Sequence, residues 1–508
     1  MTTSYVLAID AGTSGVRCLI TDLSGRPVSL CRRKWNYRTP SDTNLLGREF
    51  DPAQFWHLIC ATVMEAVSKA NVNAEDIAGI SATSQREGAV FLDGEGKELY
   101  GGPNIDLRAL TEGVLLDSKF GEEIYAVTGH IPSFLFVPAM LKWFENNRPA
   151  IHRRINTVLT ISDWIIYRLC GERVGEICGA CELGLVDIQA RRLSESLSEL
   201  LDLPLDLYPE PVPAGAQVGK VTRQAASETG IPESTAVVQG APDTHCGLLT
   251  MGVKDNGELG VIFGWSAPVQ QVTDKPALGP EGKTWVSCHL FPQKWILESS
   301  AGEAGNVYRW LKELMFEQGG LPDDKAYQVM DRLAMEAPSG EVLAFIGPAA
   351  MDINHLAMKP GGFLFPVPLS ANNIRRGHLV RAFLENLCFA VKANSIQLKT
   401  ISGLKIEKVI VGGALAKSQC LMQILPNVLG VPICVPELTE VSALGAAICA
   451  AVGAGGYSGL EEGAETMTPE FRVAEPDRLS VLEYEEYYQR WLSTSQSLER
   501  LGEEVGIK

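Results

Sequence analysis

The sequence predicts an α/β protein of two domains facing each other across a cleft, and three observations carry that prediction. A strand, a glycine turn and a second strand open the chain at 5–17, the same arrangement returns at 260–269, and 508 residues exceed one ordinary core. The expected domains are 1–250 and 251–460, followed by a helical tail at 461–508.

In the opening hairpin an apolar run, Tyr5 to Ile9, ends in the carboxylate Asp10, and Val16 to Ile20 begins the return. Between them Gly12 and Gly15 allow positive φ and a close backbone approach to a ligand, while Thr13 and Ser14 add hydroxyl donors. Such a turn suits a polyphosphate, and Asp10 is placed to hold a hard cation such as Mg²⁺. An ordinary hairpin that happens to contain glycines fits the turn alone equally well. A dinucleotide fingerprint does not fit, because its glycine loop opens a helix, whereas here a strand follows and Gly25-Arg26-Pro27 leads to a third apolar run.

Further along, Asp51-Pro52 reads as an N-cap and first helical position, with Phe55, Leu58, Ile59, Ala66 and Ala70 at helical spacing. Ile77 to Ala82 and Ala89 to Leu92 read as buried strands. Between them lies Gln85-Arg86-Glu87, an ion pair at a strand end that is better aimed into a cleft than spent on the surface. Helices are expected over Met140–Asn147 and Ile161–Leu169, the latter ended by Gly171, and the proline-rich 203–219 reads as an irregular connection. Thr235 to Gln239 is a strand leading through Asp243 and Thr244 into a helix, where Asp243 would serve as an N-cap in a purely structural reading.

The second hairpin turns at Gly264-Trp265-Ser266. Val409 to Val411 reads as a strand, followed by Gly412, Gly413, Ala414 and Lys417. This segment lacks the second glycine that a Walker A loop requires before its lysine. The glycine- and alanine-rich stretch after Glu440 reads as a close-packed helix.

A net charge of −17 without a local basic patch argues against nucleic acid as a partner. No apolar run is long enough to span a bilayer, no basic region precedes an apolar core near the first residues, and a cytoplasmic location is expected. The 12 cysteines read as reduced core residues, including Cys178-x-x-Cys181, which no second pair or spaced histidines complete into a metal site.

Asp10, Gly12 and Thr13 followed by the basic Arg17, then Arg86-Glu87, Asp106-x-Arg108, Asp243 and Gly412-Gly413-Ala414, resemble in this order the FGGY family of carbohydrate kinases. The resemblance covers nearly the whole chain. It implies two actin-like ATPase (ribonuclease H-like) domains using ATP and Mg²⁺ on a small sugar or polyol. It also implies that Gly12, Thr13, Ser14, Arg17, Gly264, Ser266, Gly412, Gly413, Ala414 and Lys417 hold the nucleotide, and that Asp10 and Asp243 serve the metal. Gln85, Arg86, Glu87, Asp106, Asp243 and Thr244 would bind the substrate, with Asp243 as catalytic base. Two departures stand out: Trp265 replaces a threonine of the family's second phosphate turn, and Asn104 replaces a tryptophan before Asp106. Matching Thr128-Gly129 and Lys142-Trp143 to glycerol kinase puts Leu135 where that enzyme carries a glycerol-binding tyrosine. The pattern is most similar to the branch acting on the autoinducer-2 precursor, a linear five-carbon dihydroxy-dione. A xylulose/ribulose- or glycerol-type kinase and a non-catalytic sugar or nucleotide sensor are the alternatives, and a homodimer is one assembly the resemblance allows.

Overall fold

The computed structural model describes residues 4–316, 322–353, 360–368 and 373–505. Two mixed sheets organise it. The first has six strands in the order Gln217–Lys220, Ala236–Val238, Ile77–Ser84, Tyr5–Gly12, Gly15–Asp22, Pro27–Lys34. The second has seven, in the order Trp285–Cys288, Trp295–Glu303, Ser266–Thr273, Leu259–Phe263, Val409–Gly413, Ile433–Pro436, Phe471–Ala474. Each sheet contains the same unit. Tyr5–Gly12 pairs antiparallel with Gly15–Asp22 and parallel with Ile77–Ser84, just as Leu259–Phe263 pairs antiparallel with Ser266–Thr273 and parallel with Val409–Gly413. Parallel neighbours need a crossover that covers a face, which is why these central strands read as unbroken apolar runs.

The helix Val441–Gly453 belongs to the second half of the chain yet packs on the first sheet, where Ala443, Ala446, Ala447 and Ala450 join Val6, Ala8, Leu19 and Val238 in one buried cluster. Its small residues make the close approach possible. A Cβ on Gly445 would sit 2.0 Å from the Cys246 carbonyl oxygen, and one on Gly79 would sit 2.7 Å from that of Ala450. This helix therefore ties the second half to the helix Asp243–Thr250 and to the first sheet, through contacts that tolerate almost no added volume.

Asp51 caps the helix Pro52–Ala70 by accepting from the amides of Ala53 and Gln54, and Gly171 ends Ile161–Cys170 at φ 82°. Three local expectations need correction. Gly12 and Gly15 do not take positive φ. The need at Gly15 is proximity, since a Cβ there would meet the Arg33 carbonyl oxygen at 2.3 Å. The proline-rich connection ends in an edge strand, Gln217–Lys220, and the helical tail contains a strand, Phe471–Ala474, that closes the second sheet. Both are short edge strands whose ladder partners lie far off in sequence, so local propensity gives little sign of them. All 12 cysteines are free, and Cys178 and Cys181 are buried.

Candidate active site

Three neighbouring parallel strands of the first sheet deliver their carboxyl ends to one place, the usual position for a ligand on such a sheet. Ala11 stands opposite Ser84, the Gln85 amide donates to the Ala11 carbonyl (3.0 Å), and Ser84 bridges Pro242. Asp10, Gln85-Arg86-Glu87 and Asp243 are thereby brought together, although they lie up to 233 residues apart in the chain.

Arg17 folds back so that Nη1 donates to Asp10 Oδ2 (2.8 Å), while its Nε lies 3.2 Å from Glu440, which also holds Arg32. Burial raises the Asp10 carboxyl against the pull of Arg17. Asp243 is pushed up to about 7, by burial first and then by the like charge of Asp10, with Arg86 opposing. A carboxyl so placed can take up a proton near neutral pH, which suits a general base. Asp243 is the first residue of its helix; Pro242 occupies the N-cap position, so the structural alternative of a capping side chain is not realised. The Thr244 hydroxyl oxygen is buried without a partner.

Arg86 donates from Nη1 and Nη2 to Glu298 at 2.6 and 2.7 Å and lies over the Trp285 ring (5.7 Å). Glu87 adopts φ 57°, an uncommon conformation for a non-glycine residue, which turns its carboxyl back toward Arg86 at 3.7 Å. Burial raises its carboxyl, with Arg86 opposing and Glu182 and Glu298 adding to the rise. Gln85 is a brace: its Nε2 donates to the Tyr37 hydroxyl and its Oε1 accepts from the Asn104 amide. Asn104 also accepts from the Thr13 hydroxyl (3.3 Å), so the residue that departs from the family pattern links the first turn to Gln85.

On the second sheet Phe263 pairs with Gly413, and a Cβ on Gly413 would lie 2.4 Å from the Phe263 carbonyl oxygen. Gly412 and Gly413 are themselves buried at the end of their strand, beside the exposed Gly264 and half-buried Ser266 of the turn, and Ala414 and Lys417 are exposed just after them. The turn is docked through its carbonyls, Gly264 accepting from the Gly305 amide (3.2 Å) and Trp265 from that of Ala304 (3.1 Å).

Asp106 is engaged within the protein. Its two oxygens accept from the Tyr100 hydroxyl, Arg108 Nε (2.7 Å) and the amides of Arg48 and Arg108, and Arg108 is held in turn by Glu49. With its acceptors spent in this buried network, Asp106 supports the wall and offers nothing to a sugar. Conversely, Glu182, Glu298 and Gln270 gather at Arg86 and were not among the expected residues. The available signal for Glu298 was a charge directly after the apolar run Trp295–Leu297 of a buried strand.

Among the described residues no cluster of three or more His, Cys, Asp or Glu forms an all-protein metal cage. Mg²⁺ needs none, since it keeps waters and takes one or two carboxylates plus phosphate oxygens. Asp10 and Asp243, each next to a residue that pairs with Ser84, fit that requirement.

Two duplicated sheets, a carboxylate beside an Arg-Glu pair on one, and glycine turns on the other define a phosphotransferase of the two-domain sugar-kinase type. The sequence comparisons agree. Residues 5–250 match the N-terminal domain of the FGGY family of carbohydrate kinases and 281–454 its C-terminal domain. The chain belongs to the FGGY family of carbohydrate kinases, whose sugar kinases use ATP with Mg²⁺. It is 31% identical over 503 residues to an autoinducer-2 kinase of Enterobacter sp. (strain 638), covering 96% of this chain and 93% of that one. An autoinducer-2 kinase of Klebsiella pneumoniae is 30% identical with the same coverage. The xylulose kinase of Rhodospirillum rubrum superposes with a TM-score of 0.81 at 26% identity, covering 98% of this chain and 99% of that one. No helix among the described residues is long and apolar enough to cross a membrane.

The buried carboxyls fix a pH dependence of stability. Burial pushes Asp243 and Glu176 to about 7 and also raises Glu87, whereas unfolded carboxyls titrate near ~4. The folded chain thus binds protons that the unfolded chain releases, so stability is lost as pH rises through about 7. Burial drives His245 and His289 down to about 3 and lowers His130, so stability is also lost as pH falls below the unfolded histidine value of ~6.5. Thermal unfolding of the ligand-free protein is expected a few degrees lower at pH 8 than at pH ~6. A melting temperature that climbs steadily to pH 8 contradicts these assignments.

Proposed function

We propose that this sugar kinase transfers the γ-phosphoryl group of ATP to a hydroxyl of a small neutral sugar, with the autoinducer-2 precursor as the preferred acceptor. The observation that carries the transfer is the convergence of Asp243 with Arg86 and Glu87 at adjacent strand ends. Asp243 accepts the acceptor's hydroxyl proton as its oxygen bonds to the γ-phosphorus and the bond to the β,γ-bridging oxygen breaks, releasing ADP. Arg86 and Glu87 orient the other oxygens of the acceptor. Thr13 and Ser14 with Gly264 and Ser266 hold the phosphates from the two sheets, Arg17 keeps Asp10 in place, and Gly412 to Lys417 receive the adenosine. Phosphoryl transfer is governed mainly by such positioning and charge stabilisation. Asp10 and Asp243 would hold Mg²⁺, which would neutralise part of the phosphate charge.

The choice of acceptor is supported by the two relatives named above and by Leu135. Leu135 is half-buried and ends the short turn Ser133–Leu135. The next residue, Phe136, meets Trp285, the ring beneath Arg86, at 5.9 Å. A leucine cannot donate to a hydroxyl, but it can face the methyl ketone of the dihydroxy-dione. In a coupled ADP-release assay, kcat/KM for the dihydroxy-dione is expected to exceed that for glycerol by at least about 100-fold. Equal or better use of glycerol would remove both the role of Leu135 and this acceptor.

A further inference from the structure

Arg86 meets more carboxylates than one cation balances. Beyond the bidentate pair with Glu298, Glu182 Oε2 lies 3.5 Å from its Nη1 and Glu87 Oε1 3.7 Å from its Nε. Glu298 comes from the second sheet and Glu182 from the end of the helix Ile177–Glu182, so three separate segments bring acid to the same guanidinium. The Glu182 and Glu298 side chains are 1% and 3% exposed, which leaves bulk water little access to screen them.

Apart from the Thr244 hydroxyl, the unused valences here are mainly lone pairs. Glu182 Oε2, Gln270 Oε1, His245 Nδ1 and Glu87 Oε1 are buried without a hydrogen-bond partner. Gln270 spends its amide nitrogen on Glu298 (2.7 Å), so it is the oxygen that Gln270 offers. His245 Nε2 faces the Cys288 carbonyl oxygen at 3.0 Å and carries the ring proton, so Nδ1 presents a lone pair. Buried acceptors are costly until a donor reaches them, and a hydroxyl group is such a donor.

Building on the kinase reading above, we infer that Glu182 and Glu298 are specificity residues of the acceptor subsite. They spend the charge of Arg86 within the protein, so the site takes neutral acceptors rich in hydroxyl donors and rejects acceptors bearing a carboxylate or a phosphate. A like charge placed against desolvated carboxylates is strongly disfavoured, and unpaired buried groups sharpen the discrimination.

The test measures ADP release by the full chain with the dihydroxy-dione, D-xylulose and D-ribulose against D-gluconate and D-xylonate. The aldonates are expected at least about 100-fold below the best neutral acceptor in kcat/KM. Glu182→Gln and Glu298→Gln should raise the KM of the neutral acceptor by about 10-fold, leave the KM for ATP unchanged, and narrow the discrimination against aldonates by a similar factor. Aldonate turnover by the unmodified enzyme within about 10-fold of the best neutral acceptor overturns the inference, whether or not the variants fold; so does unchanged discrimination in folded variants. Absence of ADP release with every compound is a failure of the kinase reading, and calorimetric titration with D-xylulose and D-gluconate then decides the inference alone. Binding of D-xylulose without D-gluconate sustains it; binding of D-gluconate as tightly, or of neither, overturns it.

Discussion

Replacing Asp243 by asparagine is expected to lower acceptor-dependent phosphoryl transfer by roughly 10²–10⁴-fold while nucleotide affinity changes little. The substitution preserves size, and its side-chain oxygen can still accept from the Thr244 amide, a 2.8 Å contact in the structure. What is lost is the ability to take a proton, together with a negative charge facing Asp10. Because burial holds this carboxyl near 7, the amide also removes an unfavourable ionisation, so the variant should melt no lower than the parent at pH 8. That combination, a large rate loss without a stability loss, distinguishes a base from a helix-start residue. Near-normal turnover would assign Asp243 to the fold alone.

Asp10→Ala should raise the Mg²⁺ concentration needed for half-maximal activity by at least about 10-fold and lower kcat as well. Arg17 would keep Glu440 as a partner, so the first turn should survive the loss. A second signature follows from electrostatics. Asp10 raises Asp243 by like charge, so its removal should move the acid limb of kcat/KM to lower pH. Mg²⁺ titrations of activity at several pH values read both effects, and an unchanged metal requirement would take Asp10 out of the site.

The residues legible in the sequence are those whose chemistry requires contiguous sequence. The proposed phosphate turn Asp10 to Arg17 and the proposed adenosine segment Gly412 to Lys417 are each one stretch of backbone, so their strands and turns could be read where they stand. Asp243 was legible because a strand, a proline and a helix start surround it. Glu182 and Glu298 were not, since neither belongs to a local pattern and each acquires meaning only beside Arg86, 96 and 212 residues away. Asp106 misled for the opposite reason. It lies in a recognisable motif, but Tyr100, Arg48 and Arg108 take up its acceptors, and only the fold shows which hydrogen bonds a side chain has spent. Gly15 and Gly445 show the same limit: the sequence gives a glycine, and the structure shows that it admits a neighbouring backbone. The Ala-rich helix Val441–Gly453 was readable as close-packed, but its placement across the first sheet was not.

The most direct test of the central claim is the fate of the γ-phosphate, followed by phosphorus NMR with ATP, Mg²⁺ and the dihydroxy-dione. The account predicts a new phosphomonoester resonance that grows one-for-one with ADP, little ADP without the acceptor, and loss of the phosphomonoester signal in Asp243→Asn. ADP accompanied by inorganic phosphate at a rate indifferent to every acceptor would contradict it, and would make the protein a nucleotide hydrolase or switch on the same fold.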